Sequence, residues 1–286
     1  MKLSEMRQIL AERGVQLTKS LGQNFLHDGN QLRRIIREAE IGPEDKVLEI
    51  GPGLGPLTEL LVAAAGEVLA IEKDARLIEI MRQRFSAEAE AVSFKSAHLK
   101  LVEADALEYL KTNKADWREW KLVANLPYSV ASPILVELAL NDLGPKRIVV
   151  TLQLEVARRL TARPGTPDYG VLTLLVQLDY LPIDWFKIPA GCFFPQPDVE
   201  SACVILSRRT PPLLTGDLRP CFVSILKRSF SQRRKMMAKL LKEDWETSAV
   251  ERALQETGLP SAVRAEMVSL EQFTKLTRIL YERRNL

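Results

Sequence analysis

The chain has 286 residues, 46% hydrophobic and 27% charged, with a formal net charge of +3. That length suits one large domain and one smaller one, and the composition excludes a disordered or collagen-like chain. The three cysteines (Cys192, Cys203, Cys221) and two histidines (His27, His98) lie far apart. No zinc-ligand spacing exists, and the odd, sparse cysteine count suits a reducing compartment. The longest purely apolar run, Leu60 to Ala65, is too short to cross a membrane. The amphipathic N-terminus carries Glu5 and Glu12 and lacks the apolar stretch of a secretory signal. A cytoplasmic, monomeric protein is expected.

In chain order, residues 4–13 read as a short helix and 14–27 as a loop. Asp28 is placed to cap a helix running to about Ala39. Strands and helices then alternate: strand 46–50, helix 56–65, strand 68–72, helix 75–85, strands 99–104 and 121–125, helix 133–140 and strand 147–153. The Val/Ile/Leu-rich strands suit burial on both faces, and the alternation implies a parallel sheet covered by helices. Residues 86–98 fit no element and read as an extended connection. After Val171 the pattern changes. Strands at 185–189 and 201–207 flank a Pro-rich loop, 193–200, as in a hairpin closing the sheet edge. Residues 208–217 read as a linker. Helices follow at about 218–230, 233–242, 247–257 and 269–283, the last opened by a capping box of Ser269 and Gln272. The predicted domains are 1–210 and 211–286.

Charge divides along the same line. Residues 1–212 hold 26 Lys+Arg against 28 Asp+Glu, whereas residues 213–286 hold 14 against 9. All of the basic excess sits in the last quarter of the chain.

Strand 46–50 runs directly into Gly51-Pro52-Gly53-Leu54-Gly55-Pro56. Glycines permit a tight turn and close backbone approach to a ligand at the start of the next helix. Pro56 replaces the last glycine of a dinucleotide fingerprint and suits the first turn of a helix. Glu72 ends the next strand, where an acid typically accepts hydrogen bonds from both ribose hydroxyls of a nucleoside. A nucleoside without a pyrophosphate, S-adenosylmethionine, fits this loop. The bland alternative is a structural turn with a salt-bridged Glu72. Asp105, at the end of a third strand, reads either as an acceptor for the cofactor's adenine amine or as the N-cap of a helix over 106–111.

Strand 121–125 ends in Asn125-Leu126-Pro127-Tyr128, the most specific chemistry in the chain. An exocyclic adenine amine is a poor nucleophile because its lone pair is delocalised into the ring. The Asn125 side-chain oxygen and the Leu126 carbonyl can accept both of its N–H hydrogens, favouring a pyramidal nitrogen. Pro127 stiffens the turn, and Tyr128 offers a face to a base held out of its stack. Oriented dipoles stabilise the developing positive charge, so no strong general base is needed. A plain strand-to-turn corner is the alternative.

These residues resemble the KsgA/RsmA-type ribosomal RNA adenine dimethyltransferases. The resemblance rests on Leu21-Gly22-Gln23-Asn24-Phe25-Leu26, Glu49 to Gly55, Asn125 to Tyr128, Phe193 to Ala202 and Phe230 to Lys235. It runs from about residue 18 to the C-terminus. It implies a Rossmann-like methyltransferase sheet with a smaller, all-helical C-terminal domain. It also implies S-adenosylmethionine-dependent dimethylation of two adjacent adenines near the 3′ end of small-subunit (16S) rRNA, late in subunit assembly. Cofactor binding would fall to Asn24, Leu26, Gly51, Gly53, Glu72, Asp105 and Asn125. Tyr128 and Phe194 would stack on the base, although Phe194 reads equally well as a core aromatic under the Pro-rich loop.

From Lys227 to Lys242 there are seven basic residues and no acid. Lys227, Arg228, Arg233, Arg234, Lys235 and Lys239 read as a phosphate-facing set rather than a solvated face, with Met236, Met237, Leu240 and Leu241 as the buried side of their helix. Arg158, Arg159 and Arg163 are candidates to extend that surface. Three other functions compete: a resistance methyltransferase acting on large-subunit (23S) rRNA, a non-catalytic RNA-binding factor on the same scaffold, and a nicotinamide dehydrogenase. Pro56 and the lack of a catalytic His or Tyr-Lys set disfavour the dehydrogenase.

Overall fold

A computed structural model describes residues 1–17, 22–91, 98–113, 115–232 and 234–282, the side chains of 87–91 excepted. The chain forms two compact units. The first is Met1–Ala157 with Pro182–Arg208, and the second is Arg158–Leu181 with Arg209–Leu286.

The elements are α1 (Leu3–Glu12), β1 (Phe25–Leu26), α2 (Gly29–Glu38), β2 (Lys46–Ile50), α3 (Pro56–Ala64), β3 (Glu67–Glu72), α4 (Ala75–Ala91), β4 (His98–Glu103), α5 (Ala106–Thr112), β5 (Trp120–Asn125), α6 (Ala131–Leu140) and β6 (Arg147–Gln153). Then come α7 (Leu154–Leu160), α8 (Val171–Gln177), β7 (Tyr180–Ile188), β8 (Phe193–Phe194), β9 (Ser201–Arg208), α9 (Leu218–Ser229), α10 (Met237–Leu241), α11 (Thr247–Thr257) and α12 (Leu270–Glu282).

The first unit is organised by a seven-stranded sheet in the order β4-β3-β2-β5-β6-β9-β7. Strands β2 to β6 run parallel, and β9 returns antiparallel to β6, pairing Thr151 with Cys203. The closing strands at the edge are therefore formed, with β7 longer than its predicted span. Strand β2 lies between β3 and β5, so the chain order reverses there. A crevice opens outside the strand ends at such a point, and the glycine loop follows β2 directly.

Val47, Val123, Val149, Cys203 and Ile205 line one sheet face and pack with Leu32 and Ile35 of α2 and Leu57 and Leu61 of α3. Asp28 caps α2 as expected, accepting from the amides of Asn30 and Gln31 at 2.9 Å. Helix α4 runs to Ala91, beyond its predicted end at 85, so the first part of the supposed extended connection is helical. Residues 92–97 lie outside the described residues.

Helix α1 forms close to its predicted span of 4–13, but two tertiary contacts of this unit had no sequence signal. Strands β1 and β8 have two residues each, too short for any periodicity, and pair Phe25 with Phe194 and Leu26 with Phe193. Helix α1 buries Met6 and Leu10 in a cluster with Phe25, Leu54, Leu77 and Ile80, which brings it to the glycine loop.

The second unit is helical. It takes in 158–181, which the sequence assigned to the sheet domain. The reason is a buried ion pair: Arg219 of α9 donates to Asp179 at 2.8 and 2.7 Å. The Arg209 amide donates to the Asp179 carbonyl at 2.7 Å, and Tyr169 donates its hydroxyl to the Val268 carbonyl, also at 2.7 Å. No local pattern reports such long-range partners. Counted by unit, the first holds 22 Lys+Arg against 26 Asp+Glu and the second 18 against 11, so the charge contrast is sharper than the linear division suggested.

The Ser269–Gln272 capping box is formed, with bonds of 3.0 and 3.2 Å. The helix predicted over 233–242 shrinks to α10. The Met237 amide donates to the Val263 carbonyl instead of back along its own helix, and Met236 stays 45% exposed while Met237, Leu240 and Leu241 are buried. Met236 thus does not belong to the buried side. Among the described residues, no helix is long and apolar enough to cross a membrane.

Candidate active site

Four parallel strands, β2 to β5, deliver the site. Beyond β2, Gly51 has φ +71° and Gly53 φ +62°. A Cβ on Gly51 would lie 3.1 Å from the Pro127 ring, and one on Gly53 would lie 2.5 Å from the Phe25 ring. Both positions combine a left-handed backbone with close approach, which only glycine accommodates. The Gly51 amide donates to the Ile71 carbonyl at 2.9 Å, tying the loop to β3.

Glu72 closes β3 and is buried. One carboxylate oxygen accepts from the Gly53 amide at 3.1 Å. The other accepts from the amides of Lys73 at 2.9 Å and Asp74 at 3.0 Å. Burial raises its pKa, with the nearby Asp74 charge adding to the rise, and the three amides oppose it. A carboxylate has about four acceptor sites. Three are filled by backbone amides, two on Oε1 and one on Oε2, which leaves Oε2 the more open to a further donor.

Asp105, beyond β4, caps α5 with one oxygen, accepting from the amides of Leu107 at 3.0 Å and Glu108 at 3.2 Å. Its other oxygen accepts from Lys73 Nζ at 2.9 Å, and this contact chiefly lowers the carboxyl's pKa. The capping alternative is therefore realised, beside a cavity wall that keeps the ligand role open.

Asn125 ends β5. Its Nδ2 donates to the Asn24 carbonyl at 2.7 Å, which settles which end of the amide is oxygen. That oxygen is buried with no partner among the described residues. Buried acceptors are rarely left unpaired unless a ligand or water completes them. Leu126 is buried and its amide donates to the Thr151 carbonyl at 3.0 Å. The Pro127 carbonyl accepts from the Val130 amide at 3.1 Å, closing the turn. The Tyr128 hydroxyl hydrogen-bonds with the Ser201 hydroxyl, which fixes the ring. Phe194 is half-buried at the edge of the Met6/Leu10/Phe25 cluster, with the Arg7 guanidinium 5.1 Å from its ring centre.

Asn24, Gly51, Gly53, Glu72, Asp105 and Asn125 all line one cavity of about 230 Å³. Leu26, predicted with them, lies instead in β1 against a smaller cavity beneath. Gln23, Ile50, Ile71 and Lys73, none of them predicted as site residues, also line the larger cavity. Ile50 and Ile71 precede Gly51 and Glu72 by one residue, so the strand ends themselves were the available signal.

In the second unit, Lys227, Arg234, Lys235 and Lys239 are exposed. Arg228 is not a free cation. It donates to Asp244 at 2.6 and 2.7 Å and to Glu243 at 2.8 Å. The acids that neutralise it begin one residue past the basic run. Arg233 lies outside the described residues, as does Leu21.

The ribosomal RNA adenine dimethylase family matches residues 14–282. The chain belongs to that family. It is 37% identical over 282 residues to ribosomal RNA small subunit methyltransferase A of Moorella thermoacetica, covering 95% of each chain. The Geobacillus kaustophilus protein of the same name is 38% identical over 281 residues, covering 96% of this chain and 94% of that one. Among solved structures, the dimethylase fold is shared with a dimethyladenosine transferase from Plasmodium falciparum, at TM-score 0.71 and 26% identity over 91% of this chain and 98% of the other. It is also shared with the 23S rRNA methyltransferase ErmE, at TM-score 0.67 and 28% identity over 90% of this chain and 100% of the other. The chain is thus a dimethylase with a Rossmann-like sheet and a helical C-terminal region.

Proposed function

We propose that this dimethylase transfers methyl groups from S-adenosylmethionine to the N6 amines of two adjacent adenines near the 3′ end of small-subunit (16S) rRNA. It would act as a cytoplasmic monomer on the assembling small subunit. The observation that carries the chemistry is the partnerless, buried Asn125 amide oxygen, lining a cavity together with the glycine loop and Glu72. Relatives at 37–38% identity bear small-subunit names, whereas ErmE, with a large-subunit name, is 28% identical. That difference supports the small-subunit substrate over the large-subunit alternative.

The residues present fit the cofactor. Glu72 leaves Oε2 open to a ribose hydroxyl, Asp105 lines the wall where an adenine amine would sit, and Gly51 and Gly53 leave room that a Cβ would fill. When bound, S-adenosylmethionine supplies an electrophilic methyl on a sulfonium. Asn125 Oδ1 and the Leu126 carbonyl accept the two N–H hydrogens of the target amine, holding nitrogen pyramidal with its lone pair free for attack. Tyr128, oriented by Ser201, and Phe194 present faces to the extruded base. As nitrogen gains positive charge, the two oxygen dipoles stabilise it, and the surplus proton leaves afterwards. The main contributions are alignment and exclusion of water. In the second unit, Lys227, Arg234, Lys235 and Lys239, with Arg233, would meet rRNA phosphates. Such contacts position the RNA without reading its sequence.

The test is methyl transfer to unmodified small and large subunits with labelled cofactor, followed by mass spectrometry of the rRNA. Two dimethylated adenines in the small subunit are expected. Asn125→Ala is expected to abolish transfer while leaving subunit binding largely intact. Label confined to the large subunit, or near-wild-type turnover of that variant, would sink the reading.

A further inference from the structure

Glu49 is a buried carboxyl that the mechanism above does not use. It is 1% exposed, on the sheet face that also carries Val47. Side chains alternate along a strand, so Glu49 shares the face of Val47, and Asn125 shares the face of Val123. Val47 and Val123 belong to one apolar cluster, and β2 pairs with β5. Glu49 and Asn125 therefore project to the same side of adjacent strands.

Both residues line one small cavity of about 10 Å³. That is about the smallest space that holds one water. The rest of the lining is Phe25, Leu26, Leu32, Pro52, Pro56 and Leu57 with Gly51. One Glu49 oxygen accepts from the Thr58 hydroxyl at 2.7 Å. That bond uses one of its two oxygens, and Asn125 Oδ1 has no hydrogen-bond partner among the described residues.

We propose that Glu49 is a positioning residue for Asn125, donating a hydrogen bond to Asn125 Oδ1 through one water held in this small cavity. Two acceptors cannot satisfy each other directly; a water between them donates one hydrogen to Asn125 Oδ1, and it accepts from Glu49 when the carboxyl is protonated and donates to it when the carboxyl is ionised. The surroundings of Glu49 favour the protonated carboxyl: burial pushes its pKa up to about 8, the Glu72 charge adds to the rise, and the Thr58 hydroxyl opposes it. The remaining walls offer no charge. With Nδ2 held by Asn24 and Oδ1 held from below, the amide plane is fixed, and the second lone pair of Oδ1 stays available to the target amine. The proposal rests on Asn125 being the acceptor of that amine.

Glu49→Gln keeps a neutral donor and an acceptor for Thr58 but cannot ionise. Glu49→Met keeps the volume and removes the donor. The full-length variants are compared for kcat, KM and cofactor Kd between pH 6.5 and 9.5, and the Asn125 side-chain amide is followed by NMR over the same range. In the wild type, the Asn125 signals should move with a midpoint near pH 8 as Glu49 ionises, while the water keeps its bond to Oδ1 and kcat changes little through that midpoint. Glu49→Gln should retain kcat and lose the NMR transition. Glu49→Met should lower kcat roughly 10-fold, as expected for a misaligned reacting group, with cofactor Kd unchanged. An Asn125 amide insensitive to pH in the wild type, or identical kinetics in the Gln and Met variants, overturns the proposal. The NMR readout does not depend on turnover. An Asn125 signal that responds to Glu49 in a protein unable to methylate adenine would fault the enzyme reading alone.

Discussion

The Asn125 side-chain amide reaches the Asn24 carbonyl, 101 residues earlier in the chain, at 2.7 Å. This bond joins the segment preceding the sheet to the strand end that carries the chemistry. Asn125→Asp would set a carboxylate oxygen against that carbonyl, and a buried, unpaired acceptor is expensive. Turnover is expected to drop on the order of 100-fold, the scale seen when one oriented dipole is removed. Thermal melting should fall as well, because the tether is broken. Single-turnover methylation and calorimetry check the two effects separately.

Gly53 tests the loop. A Cβ there meets the Phe25 ring at 2.5 and 2.6 Å, and the backbone is left-handed. Gly14 has a similar φ of +60° but no atom within 4 Å of its added Cβ. Gly14→Ala should therefore cost only the conformational strain, roughly 1–2 kcal/mol. Gly53→Ala adds overpacking worth roughly 1–3 kcal/mol more, and it should also weaken cofactor binding. Denaturant titration and cofactor calorimetry of the two variants give the comparison. Equal destabilisation would mean that Phe25 yields freely.

Asp105 serves as both cap and partner of Lys73. Asparagine caps as well as aspartate, so Asp105→Asn should leave α5 intact, whereas Asp105→Ala should lose about 1 kcal/mol. If the carboxylate also contacts the cofactor's adenine, both variants should weaken cofactor binding. If only the cap matters, Asp105→Asn should bind normally. Cofactor affinity and melting temperature, measured on both, separate the two roles.

Burial gives Glu49 a defined pH signature. Its pKa is raised from 4.5 to about 8 in the folded chain, so between those values the folded state holds a proton that the unfolded state has released. Stability from this group is complete below the unfolded pKa and is lost as pH rises toward 8. Glu49→Gln removes the titration. The melting temperature of the wild type relative to this variant should fall steadily from pH 5 to pH 8 and then level off. A constant difference would place Glu49 in a solvated setting.

The parallel sheet and the strand-end motifs were legible because each is local. The KVLEI and RIVVTLQ strands appear over the predicted residues; Gly51, Glu72, Asp105 and Asn125 converge because parallel strands end on one side, and Asn24 joins them through the Asn125 amide. What escaped depended on distant partners. Asp179 reads as an ordinary polar residue until Arg219 buries it, and the pairing of Phe25 with Phe194 has no periodicity to reveal it. Glu49 looked like part of the glycine motif, and its role follows only from the neighbouring strand.

The basic run shows the same dependence on partners and yields the sharpest test of the second unit. Arg228 is held by Asp244 and Glu243, so its charge is already neutralised. Arg234, Lys235 and Lys239 remain exposed. Reversing Arg234 and Lys235 to Glu should weaken binding to the small subunit and flatten its dependence on salt. The logarithmic slope should shrink by roughly 0.7–0.9 for each phosphate that the protein no longer neutralises. Arg228→Ala should leave that slope unchanged and lower the stability of the helical unit modestly, because a half-exposed ion pair contributes about 1 kcal/mol or less. Filter binding across a salt series measures both slopes. A slope that falls for Arg228→Ala and not for the double reversal would move the phosphate surface away from α10.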